Sequence, residues 1–145
     1  MPITFTRWFF SFLISFLLTS NLNWAIAELW LNPWAMPAFD GFMRQGEDGA
    51  SVVNILKMSL GFMLPVLAMS IILPLMKTPR NWVRRALLVA LLFGVAGFYG
   101  TYTFISGWGR VDWIPLMVTA TCDTATLFVG ALITAYIQRQ PIDSH

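Results

Sequence analysis

The chain has 145 residues, of which 57% are hydrophobic and 11% charged, with a mean hydropathy of +0.68. A soluble domain carries roughly 25% charged residues, so a soluble enzyme, a disordered chain and a disulfide scaffold are excluded together. The net charge of +2 comes from nine Lys and Arg against seven Asp and Glu, which is no nucleic-acid surface, and the expected surroundings are a lipid bilayer.

Four apolar stretches approach the ~20 residues that cross a bilayer. They cover about residues 8–31, 58–76, 86–105 and 114–137. No tandem repeat or low-complexity tail interrupts them. The expected architecture is therefore all-α, a single polytopic domain over 1–145 built as a bundle of four transmembrane helices.

The first stretch has a rival reading. Arg7, the apolar run from Trp8 to Leu18, the polar Thr19-Ser20-Asn21-Leu22-Asn23 and then Ala25-Ile26-Ala27 resemble a signal peptide with a small-x-small cleavage site. A retained span is expected instead. The helical pattern continues through Glu28-Leu29-Trp30-Leu31 to Pro33, and bulky Trp24 fits poorly before a cleavage site. Asn21, Trp24 and Glu28 fall on one face at i, i+3 and i+7, with Asn23 beside them.

Residues 32–57 mix prolines, glycines, acids and aromatics and read as an ordered outer loop at the interface, with room for a short amphipathic helix. In the second span Pro65 predicts a kink whose freed carbonyls need a neighbour or a water. The third span carries Ala86, Ala90 and Gly94 at four-residue spacing, then Gly97 and Thr101. This small-residue seam permits close approach of another helix, within the monomer or in a homodimer.

The fourth span opens with Pro115 in its first turn, where a missing N–H costs nothing. Thr119, Asp123, Thr126, Gly130 and Thr134 follow at i, i+4, i+7, i+11 and i+15, one small and polar stripe. A carboxylate near the bilayer centre costs at least about 2.5–3.5 kcal/mol, so Asp123 is expected to face protein or a wet cavity. Counting about 1.5 Å per residue from the outer ends, Asn23 and Asp123 lie at equal depth. A contact of Asp123 with Asn21 or Asn23 is therefore possible. Together with Thr119, Tyr99, Thr101, Tyr102 and Thr103 these residues are candidates for a small polar pocket open to the outside. Glu28 lies about a turn from the outer boundary, where it can simply reach water.

Orientation follows from the cations. Arg7, Lys77, Arg80, Arg84, Arg85 and Arg139 share one side, while Arg44, Lys57 and Arg110 lie on the other with Asp40, Glu47, Asp48 and Asp112. Both termini are expected in the cytoplasm. Trp8, Trp82 and Tyr136 mark the inner interface, and Trp30, Trp34, Trp108 and Trp113 the outer one. The segment from Lys77 to Arg85 reads as a topology anchor attracted to anionic headgroups.

Catalytic and cofactor motifs are lacking. Cys122 is the only cysteine and His145 the only histidine, so no disulfide, thiolate cluster or His-ligated haem within a span is expected. The eight methionines suit adaptable core filling better than a metal pathway. The expectation is no metal, no cofactor and no enzyme.

Asn23-Trp24-Ala25, Leu29-Trp30-Leu31-Asn32-Pro33, the Gly94/Gly97 seam and Asp123 with Gly130-Ala131-Leu132 carry a resemblance. On these motifs the chain resembles the uncharacterised small four-helix integral membrane proteins grouped as a domain of unknown function. That resemblance implies a bacterial inner-membrane location and no established activity. The plan is also similar to that of small multidrug-resistance transporters, although Glu28 is shallower than their membrane glutamate and the outer loop is longer. Three functional expectations result: an accessory, binding or structural membrane protein; a small proton-coupled transporter using Asp123 and Glu28; or a subunit docking onto another membrane protein.

Overall fold

The computed structural model describes residues 3–39, 52–78 and 80–139. They form helices with no strand among them. Four helical rods are long and apolar enough to cross a membrane: α1 (Phe5–Phe39), α2 (Val52–Leu75), α3 (Trp82–Trp108) and α4 (Trp113–Gln138). Of the expected outer loop, residues 40–51 lie outside the described residues, and its two flanks belong to α1 and α2.

The rods run beyond the hydropathy boundaries for local reasons. Pro33 does not end α1: a π turn over Ala27–Leu31 precedes it, and the proline falls in the first turn of a fresh α segment, Asn32–Ala35. The π turn passes the Asn32 N–H back to Ala27 O, and a 3-10 turn over Met36–Phe39 completes the rod. Pro65 and Pro74 both lie inside α2, whose helix is unbroken from Val52 to Leu75. Asn81 caps α3, its side chain accepting from Val83 N at 2.9 Å and Arg84 N at 3.3 Å, which satisfies two donors otherwise orphaned at a helix start.

α4 is the central rod. In its most apolar stretch 44% of residues are buried within the protein, against 17–22% in the other three. Its Thr, Ala and Gly residues let α1, α2 and α3 all pack on it closely. Two apolar clusters result. One joins Val66, Met69 and Leu73 of α2, Ala86, Val89 and Ala90 of α3, and Leu127, Ala131 and Ala135 of α4. The other, near the opposite end, joins Leu31, Ala35, Phe39, Val111 and Leu116. Asp123 lies on α4 between the two.

At one end of the bundle two rods start and two stop, and arginines tie them together. Arg7, in the first turn of α1, donates to the carbonyls of Ile137 and Arg139 at the end of α4. Arg85, in the first turn of α3, donates to Met76 O just beyond α2 at 2.6 Å. A guanidinium suits the negative end of a helix dipole and satisfies carbonyls that lack an intrahelical partner. Two members of the basic cluster thus cap neighbouring helices, a role that charge counting does not reveal.

Candidate functional site

Three rods meet at Asp123, which is 6% exposed. Asn23 of α1 donates through Nδ2 to Asp123 Oδ1 at 2.6 Å. Tyr102 of α3 donates its hydroxyl to Asp123 Oδ2 at 2.6 Å. Each carboxyl oxygen therefore has its own donor, from a different helix. Both bonds are short, at 2.6 Å. An aromatic stack positions the phenol: Phe62 of α2 lies 5.7 Å from Phe98, and Phe98 lies 6.2 Å from Tyr102.

Both donor helices carry a π segment beside the donor. Asn23 precedes the turn at Ala27–Leu31, and Tyr102 follows the turn at Gly94–Tyr99. A π turn takes up more residues than the 3.6 of an α turn, which changes the face presented afterwards. In α3 it keeps Gly94, Phe98 and Tyr102 near one side although four-residue steps would drift around a regular α-helix.

The same turn removes Gly97 from the expected seam. Ala86, Ala90 and Gly94 are buried, and a Cβ on Gly94 would collide with the side chain of Thr124. Gly97 instead is exposed, with nothing within 4 Å of a Cβ placed there. Gly130 is a true close-approach position, because a Cβ there would strike Thr19 Oγ1.

The expected pocket is smaller than the sequence suggested. Asn21, Trp24 and Glu28 all face outward. Asn21 donates to Leu17 O of its own helix at 2.7 Å, and Glu28 accepts from Asn32 Nδ2 at 3.3 Å. Asn23 points inward because two residues correspond to about 200° around an α-helix. Tyr99 pairs with Thr121 at 2.6 Å on the exposed side. Thr119 donates to Pro115 O of its own helix at 2.9 Å, and Thr101 and Thr103 are exposed. Of the candidates, Asn23, Tyr102 and Asp123 converge.

A polar seam continues from this cluster along the contact of α1 with α4. Thr134 donates to Ser15 Oγ at 2.7 Å. Gln138 donates through Nε2 to Ser11 Oγ at 2.8 Å and to Ser70 O of α2 at 3.0 Å. Thr19 presses on Gly130 between these bonds and the carboxyl group. The pairing of Ser11 with Gln138 and of Asn23 with Asp123 makes the two rods antiparallel. The α1 half of the seam, Ser11, Ser15, Thr19 and Asn23, repeats every four residues. That row was readable in the sequence, but the surrounding Phe and Leu residues direct attention to hydropathy rather than to helical phase.

No protein-family model, curated protein or solved structure matches the chain. The resemblance drawn from Asn23-Trp24-Ala25 and the other short motifs has no family match behind it. Function must be argued from the site. Among the described residues no group of three His, Cys, Asp or Glu side chains is placed to hold a metal ion. What the site provides is one carboxyl group clamped between two neutral donors on separate helices.

Proposed function

We propose that the chain is a multi-pass protein of the bacterial inner membrane, with both termini in the cytoplasm and a structural or binding role rather than a catalytic one. The observation that carries this reading is the closure of Asp123: each oxygen already has a donor, from Asn23 or Tyr102. A polar group in hydrocarbon is costly without a partner, and this clamp lets a carboxyl group join three helices. The six-to-three division of cations supports the orientation. Exposed Trp30, Trp34, Trp108 and Trp113 supply aromatic surface for the outer interface or for a partner membrane protein.

Proton-coupled transport is the second reading, favoured by the π segments beside both donors, since such turns recur at functional sites. Asp123 is its working group; Glu28 lies apart from it on the outward face. Asp123→Asn and Asp123→Leu separate the two readings. For a clamp, Asn keeps the fold and Leu lowers thermal stability in detergent, with wild-type behaviour of the Asn variant in every assay. For a transporter, the Asn variant folds yet abolishes a pH-driven flux that wild-type protein supports in proteoliposomes. Unchanged stability of the Leu variant overturns the clamp.

A further inference from the structure

Along α1, Phe10, Ile14, Leu17, Asn21 and Trp24 follow one another at alternating steps of four and three residues. That is the a/d pattern of a heptad, which lines one face of a helix. All five are exposed, on the side away from Ser15, Thr19 and Asn23, which pack on α4. The face has definite ends. Arg7, the next position inward, is turned to the carbonyls of Ile137 and Arg139. Glu28, the next position outward, lies in the π turn Ala27–Leu31 near the outer boundary, where water weakens repulsion between facing carboxylates.

Apolar residues alone do not say what covers such a face, because lipid tails are as apolar as Leu. Asn21 decides it. At about 1.5 Å per residue it lies about 20 Å from Trp8 and about 14 Å from Trp30 along the rod, well inside the span. Its Nδ2 donates one hydrogen to Leu17 O at 2.7 Å. The second N–H and Oδ1 have no partner among the described residues, and a polar group in hydrocarbon calls for one. An amide with a free donor and a free acceptor is complementary to a copy of itself: across a two-fold axis, each donates and each accepts. Membrane insertion supplies the axis, because copies that cross in the same direction have parallel α1 rods and meet at the same depth. A single Asn at an a position is also what fixes register in parallel helix pairs.

We propose that the chain forms a parallel homodimer through this face of α1, with Asn21 hydrogen-bonded to the partner's Asn21 and with Leu17 and Trp24 packed on either side. The proposal rests on the membrane reading above.

The test places the full chain, labelled at the C-terminus with donor or acceptor dye, in phosphatidylcholine liposomes over a range of protein densities and reads dimerisation by energy transfer. Wild-type protein is expected to dimerise, with transfer falling on dilution. Asn21→Leu should weaken the dimer about tenfold, the scale of a polar contact between membrane helices, with helicity unchanged, while Asn21→Gln should keep most of it. Gly97→Leu alters an exposed face of α3 and should leave the dimer intact. In a Cys122→Ser background, Leu17→Cys should cross-link two copies on oxidation, whereas Leu92→Cys, exposed on α3, should not. A monomer at every density, undiminished dimerisation of Asn21→Leu, equal loss in Asn21→Gln and Asn21→Leu, loss of the dimer in Gly97→Leu, or cross-linking through Leu92→Cys in preference to Leu17→Cys overturns the proposal. Flotation of the liposomes reads the underlying assumption separately. Protein that floats as a monomer overturns the dimer alone, whereas protein that stays at the bottom overturns the membrane reading.

Discussion

Asn23 and Asp123 stand 100 positions apart in the chain and 2.6 Å apart in space. Their bond joins α1 to α4 at one end of the polar seam between them. A double-mutant cycle with Asn23→Leu and Asp123→Leu should show coupling. Asp123→Leu strands the Asn23 amide and the Tyr102 hydroxyl, at about 1–3 kcal/mol for buried unsatisfied groups. Interhelical hydrogen bonds within membranes average nearer ~0.6 kcal/mol in such cycles, so coupling above that value is expected for a carboxyl acceptor. Strict additivity of the two losses in denaturant unfolding would contradict the bond.

The two glycines of α3 should behave oppositely. Gly94→Leu drives a side chain into Thr124, and overpacking of this kind costs about 1–3 kcal/mol. Gly97→Leu points into open space and should leave thermal stability within about 0.5 kcal/mol of wild type. Equal loss in both variants would mean that α3 keeps regular α-helical phase through residues 94–99.

Along the seam, Thr134→Val removes the bond to Ser15 with little change of shape. A loss of about 0.5–1.5 kcal/mol is expected, and Ser15→Ala in the same background should add little, since their bond is already gone. A full second loss would show that each hydroxyl has some other partner.

Arg7 offers a test of the helix caps. Arg7→Met removes donors from the carbonyls of Ile137 and Arg139 and a cation from the negative end of α4, together about 1–2 kcal/mol. Hydrogen exchange should then rise first in the last turn of α4. Protection that falls evenly through the bundle, or not at all, would contradict a local cap.

Much of this arrangement is legible in the sequence. Hydropathy located four helices, and the Thr119–Thr134 stripe marked a face of α4. Residue counting brought Asn23 and Asp123 to one depth. The choice between Asn21 and Asn23 needed the rotational phase of α1, which hydropathy does not supply where apolar residues lie on every side of the helix; the row Ser11, Ser15, Thr19 carries that phase. Gly97 was misplaced because periodicity assumes 3.6 residues per turn, and the π segment at Gly94–Tyr99 violates it. Ser11 and Ser15 were visible as letters, but their meaning depended on facing Gln138 and Thr134 more than a hundred residues later.

That separation bears on how the bundle is made. α1 is synthesised well before α4, so Ser11, Ser15 and Asn23 must wait through the emergence of two further rods before Gln138, Thr134 and Asp123 exist. Contacts so distant in sequence form late. Until then only the Ser11 hydroxyl has a partner, the carbonyl of Trp8 on its own helix, and the Asn23 amide lacks the acceptor that α4 brings. A chain that ends ahead of Asp123 lacks the acceptor for Asn23 and the partners of Ser11 and Ser15 on α4. The fourth helix thus acts as the latch that closes three earlier rods into a finished bundle.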